Sequence, residues 1–401
     1  MKYHFRIGKI TITMQDILML VFLVFFMLKM LRAFSGSSVQ GGIWNYIQLG
    51  FVFLGSVFFV TTIPRYLHSG VVISLFLYTL IAMVNSLFYV TFTQPWLFDY
   101  LTIPYMFCIM MIAFADGRYY DIEENKMLLI SFFILAGIFI YSMLSKGIYS
   151  TRTGAVADVY YILCLLPLML VYFKKFKLIP MAITGVAILI SGKRTGIVIF
   201  VLMVIAYYVT LSIQSRSIRT YAVSLLALAV VIAAFVITFR VINSGFNGNL
   251  LGRLTRMIED QDSSGRYERW EQVLKGFNDS SLIQWLIGHG NGAVSKDFGG
   301  NAHNDFLEIL YDYGIFALTA FISFVVFIVV ELIKMFKDRY VYAPQFLMAV
   351  ICSFGLSNFS FYVIMPTYIT AGMLTMGFLM IDYQKRCHPL SPMVRMKQTY
   401  V

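Results

Sequence analysis

Charged residues are scarce in this chain of 401 residues: Asp, Glu, Lys and Arg make up only 13% of it, whereas 59% is hydrophobic. A soluble domain is roughly half apolar and a quarter charged. Runs of about 20 apolar residues recur along nearly the whole chain, and each is long enough to cross a bilayer as a helix. The short alternating strands of a porin-type barrel are lacking. The composition therefore predicts an all-α, polytopic integral membrane protein.

Cysteine pairs and several familiar site motifs are lacking too. No loop carries two of the four cysteines, which excludes a disulfide framework and a CxxC metal site. No HExxH sequence occurs, and ISGKRTG (190–196) lacks the spacing of a nucleotide-binding Walker loop. We therefore expect no metal and no cofactor. The net charge of +11 is assigned to membrane topology, and no nucleic-acid partner is expected.

We predict twelve membrane-spanning helices from the apolar runs. Spans one to nine occupy residues 1–239, a large extracytoplasmic loop occupies 240–303, spans ten to twelve occupy 304–382, and 383–401 form a cytoplasmic tail. The spans lie near residues 14–33, 44–63, 70–93, 98–115, 126–144, 156–173, 178–191, 196–214, 220–239, 304–333, 343–361 and 366–382.

Basic residues are distributed unevenly between the two predicted sides. With the N-terminus in the cytoplasm, 18 of the 31 Lys and Arg residues fall in cytoplasmic segments and six in short outer loops. Short cytoplasmic loops are enriched in Lys and Arg, so both termini are expected in the cytoplasm. The remaining seven lie in the long loop, which is exempt from this rule, and their charge needs another explanation.

The long loop is expected to contain a small folded subdomain. Its segment 264–277 has helical spacing that places Tyr267, Trp270, Val273 and Leu274 on one side. The following LIQWLIG (282–288) is apolar enough either to lie against the membrane or to pack under the loop.

Four cationic side chains in outer segments are candidates for binding an anion. Arg194 stands at the start of span eight, where the helix N-terminus favours anions, and Lys193 precedes it. Arg266 and Arg269 are three residues apart and share one face of a helix. Snorkelling to lipid headgroups or pairing with the neighbouring acids Glu268 and Glu271 are the alternatives.

The stretch NAHNDFLEILYDYG (301–314) combines polar residues with the start of span ten. Asp305 and Glu308 fit a helix start that resembles a capping box, while Glu308 and Asp312 are also expected to orient the arginines or bind an acceptor. His303 lies just before the helix and is a candidate general base, with Asn304 in support. His289 lies in the glycine-rich stretch GHGNG, where we expect a structural role.

These motifs, in this order, resemble the O-antigen polymerase and O-antigen ligase superfamily, most strongly over residues 185–330. The resemblance implies a membrane glycosyltransferase that uses a glycan on undecaprenyl pyrophosphate as donor, without metal or nucleotide. By the same resemblance, Arg194 and Arg266 match arginines that grip the pyrophosphate, joined here by Arg269, and His303 matches the catalytic base. The active site would face the periplasm or exterior of a bacterial inner membrane.

The two subfamilies differ in their acceptor. A polymerase extends O-antigen or capsule repeat units, whereas a ligase transfers the finished chain to the lipid A core of lipopolysaccharide. SGKRTG and HNDFLEILYDYG favour the polymerase, with the ligase as the alternative and a protein O-oligosaccharyltransferase third. Expected partners are the lipid-linked oligosaccharide, the bilayer, a chain-length regulator and a flippase.

A transporter or flippase of lipid-linked saccharides is the alternative from a different class. Such a protein is expected to show inverted repeats, broken helices and polar groups near the midplane. The two halves of this chain show no obvious repeat, and Asn85 and Asn358 are only modest polar candidates. The single large outer loop therefore favours an enzyme.

Overall fold

The computed structural model describes residues 4–7, 10–13, 69–89, 103–119, 159–174, 176–191, 193–215, 266–359 and 366–387, with isolated residues between these ranges. Predicted spans one, two, five and nine lie outside these ranges. The regular structure described is helical except for an antiparallel hairpin of β1 (His4–Ile7) and β2 (Ile10–Thr13). Apart from this hairpin, the described residues agree with the prediction of an all-α protein, whereas the predicted count of twelve spans stays a prediction.

The helices of the described part fall close to the predicted spans. Predicted spans seven and eight agree with α4 and α5 to within two residues. In chain order, the helices are α1 (Gly70–Phe88), α2 (Tyr105–Tyr119), α3 (Tyr160–Tyr172), α4 (Leu178–Ser191), α5 (Arg194–Ser215), α6 (Arg266–Asn278), α7 (Leu282–Ile287), α8 (Ala293–Phe298), α9 (Asp305–Lys337), α10 (Ala343–Phe359) and α11 (Pro366–Cys387).

Three of these helices, α1, α5 and α9, are long and apolar enough to cross a membrane, and α3, α4 and most of α10 are shorter apolar helices. Helices that are apolar on all sides are typical of a membrane interior. In the helical bundle, α1 packs against α9, α5 against α10, and both α2 and α3 against α11. Their buried side chains form one continuous apolar cluster.

A break at Gly314 divides α9 into two parts. The backbone of Gly314 is non-helical, with φ 78° and ψ −178°. We call residues 305–313 the entry segment and residues 315–337 the α9 span. The rings of Phe306 and Phe321 lie 5.4 Å apart, so the entry segment folds back toward the span.

The predicted span over 304–333 is divided at Gly314, and Asp305, Glu308 and Asp312 all lie on the entry segment. The α9 span alone is about 34 Å long at 1.5 Å per residue, which is sufficient to cross the hydrocarbon core. Acidic side chains inside a span are costly, and the break keeps these three out of it.

Helices α6 to α8 form a second unit with its own apolar core, which we call the loop subdomain (residues 266–302). Its buried side chains are Val273, Phe277, Ala293, Val294 and Ala302, joined by Tyr311 of the entry segment. On α6, the side chains of Trp270, Val273 and Phe277 face this core. Of the four residues predicted on one side of this helix, Tyr267 and Leu274 are exposed and Val273 is buried.

Candidate active site

His303 is held by its backbone between the loop subdomain and α9. The indole N–H of Trp270 donates to the carbonyl oxygen of Ala302 (2.7 Å). The backbone N–H of His303 donates to the carboxylate Oε1 of Glu308 (3.2 Å). His303 has φ 57°, a left-handed conformation that is uncommon for a residue other than glycine. Such strain is found where the surrounding structure imposes a conformation, often at functional sites.

The start of α9 differs in detail from the predicted one. The N-cap is Asn304, whose side-chain oxygen accepts two backbone N–H groups of the first turn at 3.0 and 3.3 Å. Asp305 is the first helical residue. Glu308 reaches back to His303 instead of completing a cap with Asp305. The Asn304 cap fixes the residue after His303, and Glu308 binds the backbone N–H of His303 itself. Together they fix the backbone position that carries the imidazole.

Two stretches of backbone, 286–290 and 311–314, cross in direct contact beside this site. Backbone hydrogen bonds of 3.0 and 2.8 Å join them. Gly288 and Gly314 have φ values of 83° and 78°, and a Cβ on Gly288 would lie 2.5 Å from the backbone nitrogen of Tyr313. The glycine-rich stretch therefore approaches the entry segment so closely that a side chain on Gly288 would not fit.

Asp312 stabilises this crossing. It is 2% exposed, and its two carboxylate oxygens accept the backbone N–H groups of Gly292 and Val294, both at 2.9 Å. Backbone amides of the glycine-rich turn thus occupy both carboxylate oxygens, and the expected role of Asp312 in orienting the arginines stays a prediction.

His289 has the structural role expected of it. Its Nδ1 lies 3.0 Å from the carbonyl oxygen of Tyr311, and its Nε2 lies 2.9 Å from the hydroxyl of Ser280. The carbonyl can only accept, so Nδ1 carries a proton. The imidazole also stacks on the ring of Tyr311 at 4.0 Å. Both nitrogens are therefore engaged within the protein.

His303 is surrounded by positive charge. Burial, together with the charges of Arg266, Lys193 and Arg269, lowers its pKa to about 4. A side chain on Gly300 would come within 3.6 Å of the Arg269 guanidinium, which places that arginine over the segment leading to His303. At neutral pH the site thus holds a neutral, half-buried imidazole among three cations, an arrangement suited to an anion.

The SGKRTG motif reaches this site from a distant part of the chain. Helix α5 begins at Arg194, as predicted, and the preceding Lys193 is near enough for its charge to act on His303. The Arg194 side chain lies outside the described residues, so its role in binding pyrophosphate stays a prediction.

Residues 179–322 match a family model described as O-antigen ligase. In this segment the chain is similar to the O-antigen ligase and polymerase superfamily. The matched segment runs from α4 to the early part of the α9 span, so it contains Lys193, Arg194, Arg266, Arg269 and His303. The predicted resemblance is confirmed, and this superfamily is one of membrane glycosyltransferase-like enzymes. No curated protein matches the chain.

Several residues that build this candidate site were not predicted from the sequence. The sequence identifies Trp270 only as an apolar residue of α6, and it does not identify Gly314. Tyr89, at the end of α1, donates its hydroxyl to the carbonyl oxygen of Gly288 (2.8 Å). A glycine within an otherwise helical run is a weak signal of a break, whereas nothing local to Tyr89 indicates its distant partner.

Proposed function

We propose that the protein transfers a glycan from a polyprenyl pyrophosphate to a sugar hydroxyl, with undecaprenyl pyrophosphate as the carrier. The observation that carries this proposal is the neutral imidazole of His303 among Arg266, Arg269 and Lys193. A pyrophosphate leaving group needs stabilisation of negative charge, and the acceptor hydroxyl needs a base. The three cationic side chains would supply the first, and the imidazole of His303 would supply the second.

In the proposed reaction, the acceptor oxygen attacks the anomeric carbon of the donor glycan as the bond to the pyrophosphate oxygen breaks. His303 takes the hydroxyl proton, and the electron pair of the broken bond leaves on the polyprenyl pyrophosphate. Attack opposite to the leaving group inverts the anomeric centre. Fixed cationic groups around the departing charge lower the barrier, because they need no reorganisation during the reaction.

Binding of the donor would make the imidazole of His303 a stronger base. A pyrophosphate bound by the two arginines and Lys193 neutralises the charges that disfavour protonation of His303. The pKa of His303 therefore rises on donor binding, and a stronger base is present only when the leaving group is in place.

This leads to a prediction for the pH dependence of transfer. Protonated His303 cannot act as a base, so activity falls as the pH decreases through its pKa. The acid limb of kcat/KM reports the free enzyme and is expected near pH 4, whereas the limb of kcat is expected at higher pH. In Arg266→Gln, the kcat/KM limb should move upward. Identical limbs for the two parameters would contradict the role of the donor.

Arginine and lysine should not be interchangeable in this site. Arg266→Lys and Arg269→Lys keep the charge but lose the planar fork that binds a phosphate through two hydrogen bonds. Each is expected to lose most of its transfer activity while the protein remains folded in the membrane. Glu271→Gln, on the exposed side of α6, is the matched control and should transfer at the wild-type rate. Full activity of both lysine variants would exclude the proposed binding of the pyrophosphate by the two arginines.

Metal independence is tested in the same assay. Asp260 and Asp262 form a DxD triplet, a spacing common in metal-dependent sugar-nucleotide transferases, and both lie outside the described residues. With purified enzyme and lipid-linked repeat units, EDTA is expected to leave the rate unchanged. Loss of activity in EDTA that Mg²⁺ or Mn²⁺ restores would assign to a metal what we assign to the arginines.

The acceptor class separates two forms of the proposal. We favour a polymerase of O-antigen or capsule repeat units because of SGKRTG and HNDFLEILYDYG. The ligase alternative is favoured by the description of the matching family model as O-antigen ligase. Gels of lipopolysaccharide or capsule from a deletion strain distinguish them: a ladder reduced to one repeat unit indicates a polymerase, whereas lipid-linked polymer with a bare core indicates a ligase.

We also propose that the loop subdomain faces the periplasm or cell exterior, since this orientation places most basic residues of short loops in the cytoplasm.

The transporter alternative predicts flux of lipid-linked saccharide into vesicles without transfer to an acceptor. Chain-length regulators and flippases would be partners of the enzyme in the same membrane.

A further inference from the structure

Helix α7 exposes more apolar surface than a short helix in water normally does. None of its six residues is buried. Leu282 and Ile283 are 73% and 67% exposed, and Trp285 is 37% exposed. The indole N–H of Trp285 donates to the carbonyl oxygen of Phe277 (3.0 Å), and the two rings stack at 4.8 Å. The helix is therefore held against α6 by Trp285, while Leu282 and Ile283 point away from the core.

The α9 span fixes the depth of α7 relative to a bilayer. Exposed apolar side chains on this span extend from Phe316 to Ile333, over about 26 Å of helix at 1.5 Å per residue. This stripe nearly matches the hydrocarbon core of about 30 Å. Phe316, at one end, is two residues from Gly314, and a Cβ on Gly314 would lie 2.5 Å from the carbonyl carbon of Leu286. The end of α7 thus lies level with the edge of the stripe.

Helix α1 gives the same depth independently. Its exposed apolar residues follow one face and end at Phe88, which is 71% exposed: Ile73, Leu77, Leu80, Val84, Leu87 and Phe88. The next residue, Tyr89, donates to Gly288 (2.8 Å), which directly follows α7. Both lipid-facing stripes therefore end where α7 ends.

We propose that α7 is an interfacial anchor, with Leu282, Ile283 and Trp285 in the boundary between headgroups and acyl chains of the bilayer. Such a helix lies in the plane of the interface, where tryptophan is enriched. The polar capping box of Ser281 and Gln284 provides its hydrated end. Since α7 connects α6 to the glycine-rich turn, the anchor sets the height of the arginine-bearing helix above the membrane. This inference does not depend on the proposed reaction.

Spin labels on single cysteines test the anchor in full-length protein. The protein carries Cys387→Ser, because the other three cysteines are buried, and is reconstituted in vesicles of phosphatidylethanolamine and phosphatidylglycerol. Leu282→Cys and Ile283→Cys are compared with Glu271→Cys on the polar side of α6 and Ile322→Cys on the α9 span. Collision rates with oxygen, which partitions into lipid, and with a water-soluble nickel chelate are measured for each label.

The ratio of oxygen to nickel collisions at Leu282 and Ile283 is expected to be several-fold above that at Glu271 and several-fold below that at Ile322. A ratio equal to that at Glu271 would place α7 in water and overturn the proposal. Low collision rates with both reagents would show that protein, such as a second copy of the chain, covers the face. A ratio that becomes lipid-like only after undecaprenyl pyrophosphate is added would assign the face to the donor chain instead.

Discussion

Replacement of His303 by alanine is expected to lower the rate of glycan transfer by roughly 10²–10⁴-fold, the contribution that a positioned base usually makes. The protein should remain in the membrane in normal amount. The backbone around His303 is held by Trp270, Asn304 and Glu308, and none of these contacts uses the imidazole. The measurement is transfer between lipid-linked repeat units by purified enzyme.

Glycine at position 303 separates catalysis from stability. Because His303 has φ 57°, a side chain there costs about 1–2 kcal/mol of strain that glycine does not have. His303→Gly should therefore be at least as stable as His303→Ala and equally inactive. If His303→Gly is at least as stable as His303→Ala but equally inactive, the loss of activity cannot be attributed to a loss of stability.

His289→Ala is the matched control for loss of a histidine. It removes the hydrogen bonds to Tyr311 and Ser280 and the stacked ring, so the loop subdomain should become less stable. Its activity should decrease only in proportion to the loss of folded protein. Wild-type turnover by His303→Ala would mean that the base lies elsewhere, and a larger specific loss in His289→Ala would point to that residue.

Replacement of Gly288 by alanine is expected to detach the loop subdomain from α9. Its Cβ would lie 2.5 Å from the Tyr313 nitrogen, so the two backbones must separate. Overpacking typically costs about 1–3 kcal/mol, and the positive φ adds about 1–2 kcal/mol. Hydrogen exchange of residues 266–300 should increase strongly, and transfer should decrease because the arginines lose their position relative to His303.

Gly292→Ala is the control for this effect. Gly292 has φ 72°, but a Cβ there would meet nothing within 4 Å. It therefore carries the conformational strain without the clash and should cost only about 1–2 kcal/mol. Equal effects of Gly288→Ala and Gly292→Ala would show that the close backbone crossing is not what holds the subdomain.

Gly314→Ala tests the same crossing from the other side. Its Cβ would lie 2.6 Å from the nitrogen of Gly288. Since both substitutions separate the same two backbones, the double variant should lose less stability than the two single losses added together. Fully additive losses would mean that the two glycines act at independent contacts.

The sequence by itself determined the membrane class and most of the local helix positions in the described part. Apolar runs and polar breaks are properties of neighbouring residues, so they predicted α4 and α5 to within two residues. His303 and the two arginines of α6 were also candidates from the sequence alone. Polar residues clustered within an apolar chain can be recognised from the local sequence, without knowledge of tertiary contacts. The family match over residues 179–322 covers these motifs.

Only the tertiary structure decided which of these groups meet, and in what role. Lys193 and His303 are 110 residues apart, and their proximity depends on how α5 and α9 lie in the bundle. The carboxylate of Asp312 binds backbone amides because a turn from the loop subdomain covers it. The break at Gly314 decides whether three acids lie inside a span or outside it. Such outcomes depend on long-range packing and on the φ value of one glycine, neither of which is recorded in the local pattern of residues.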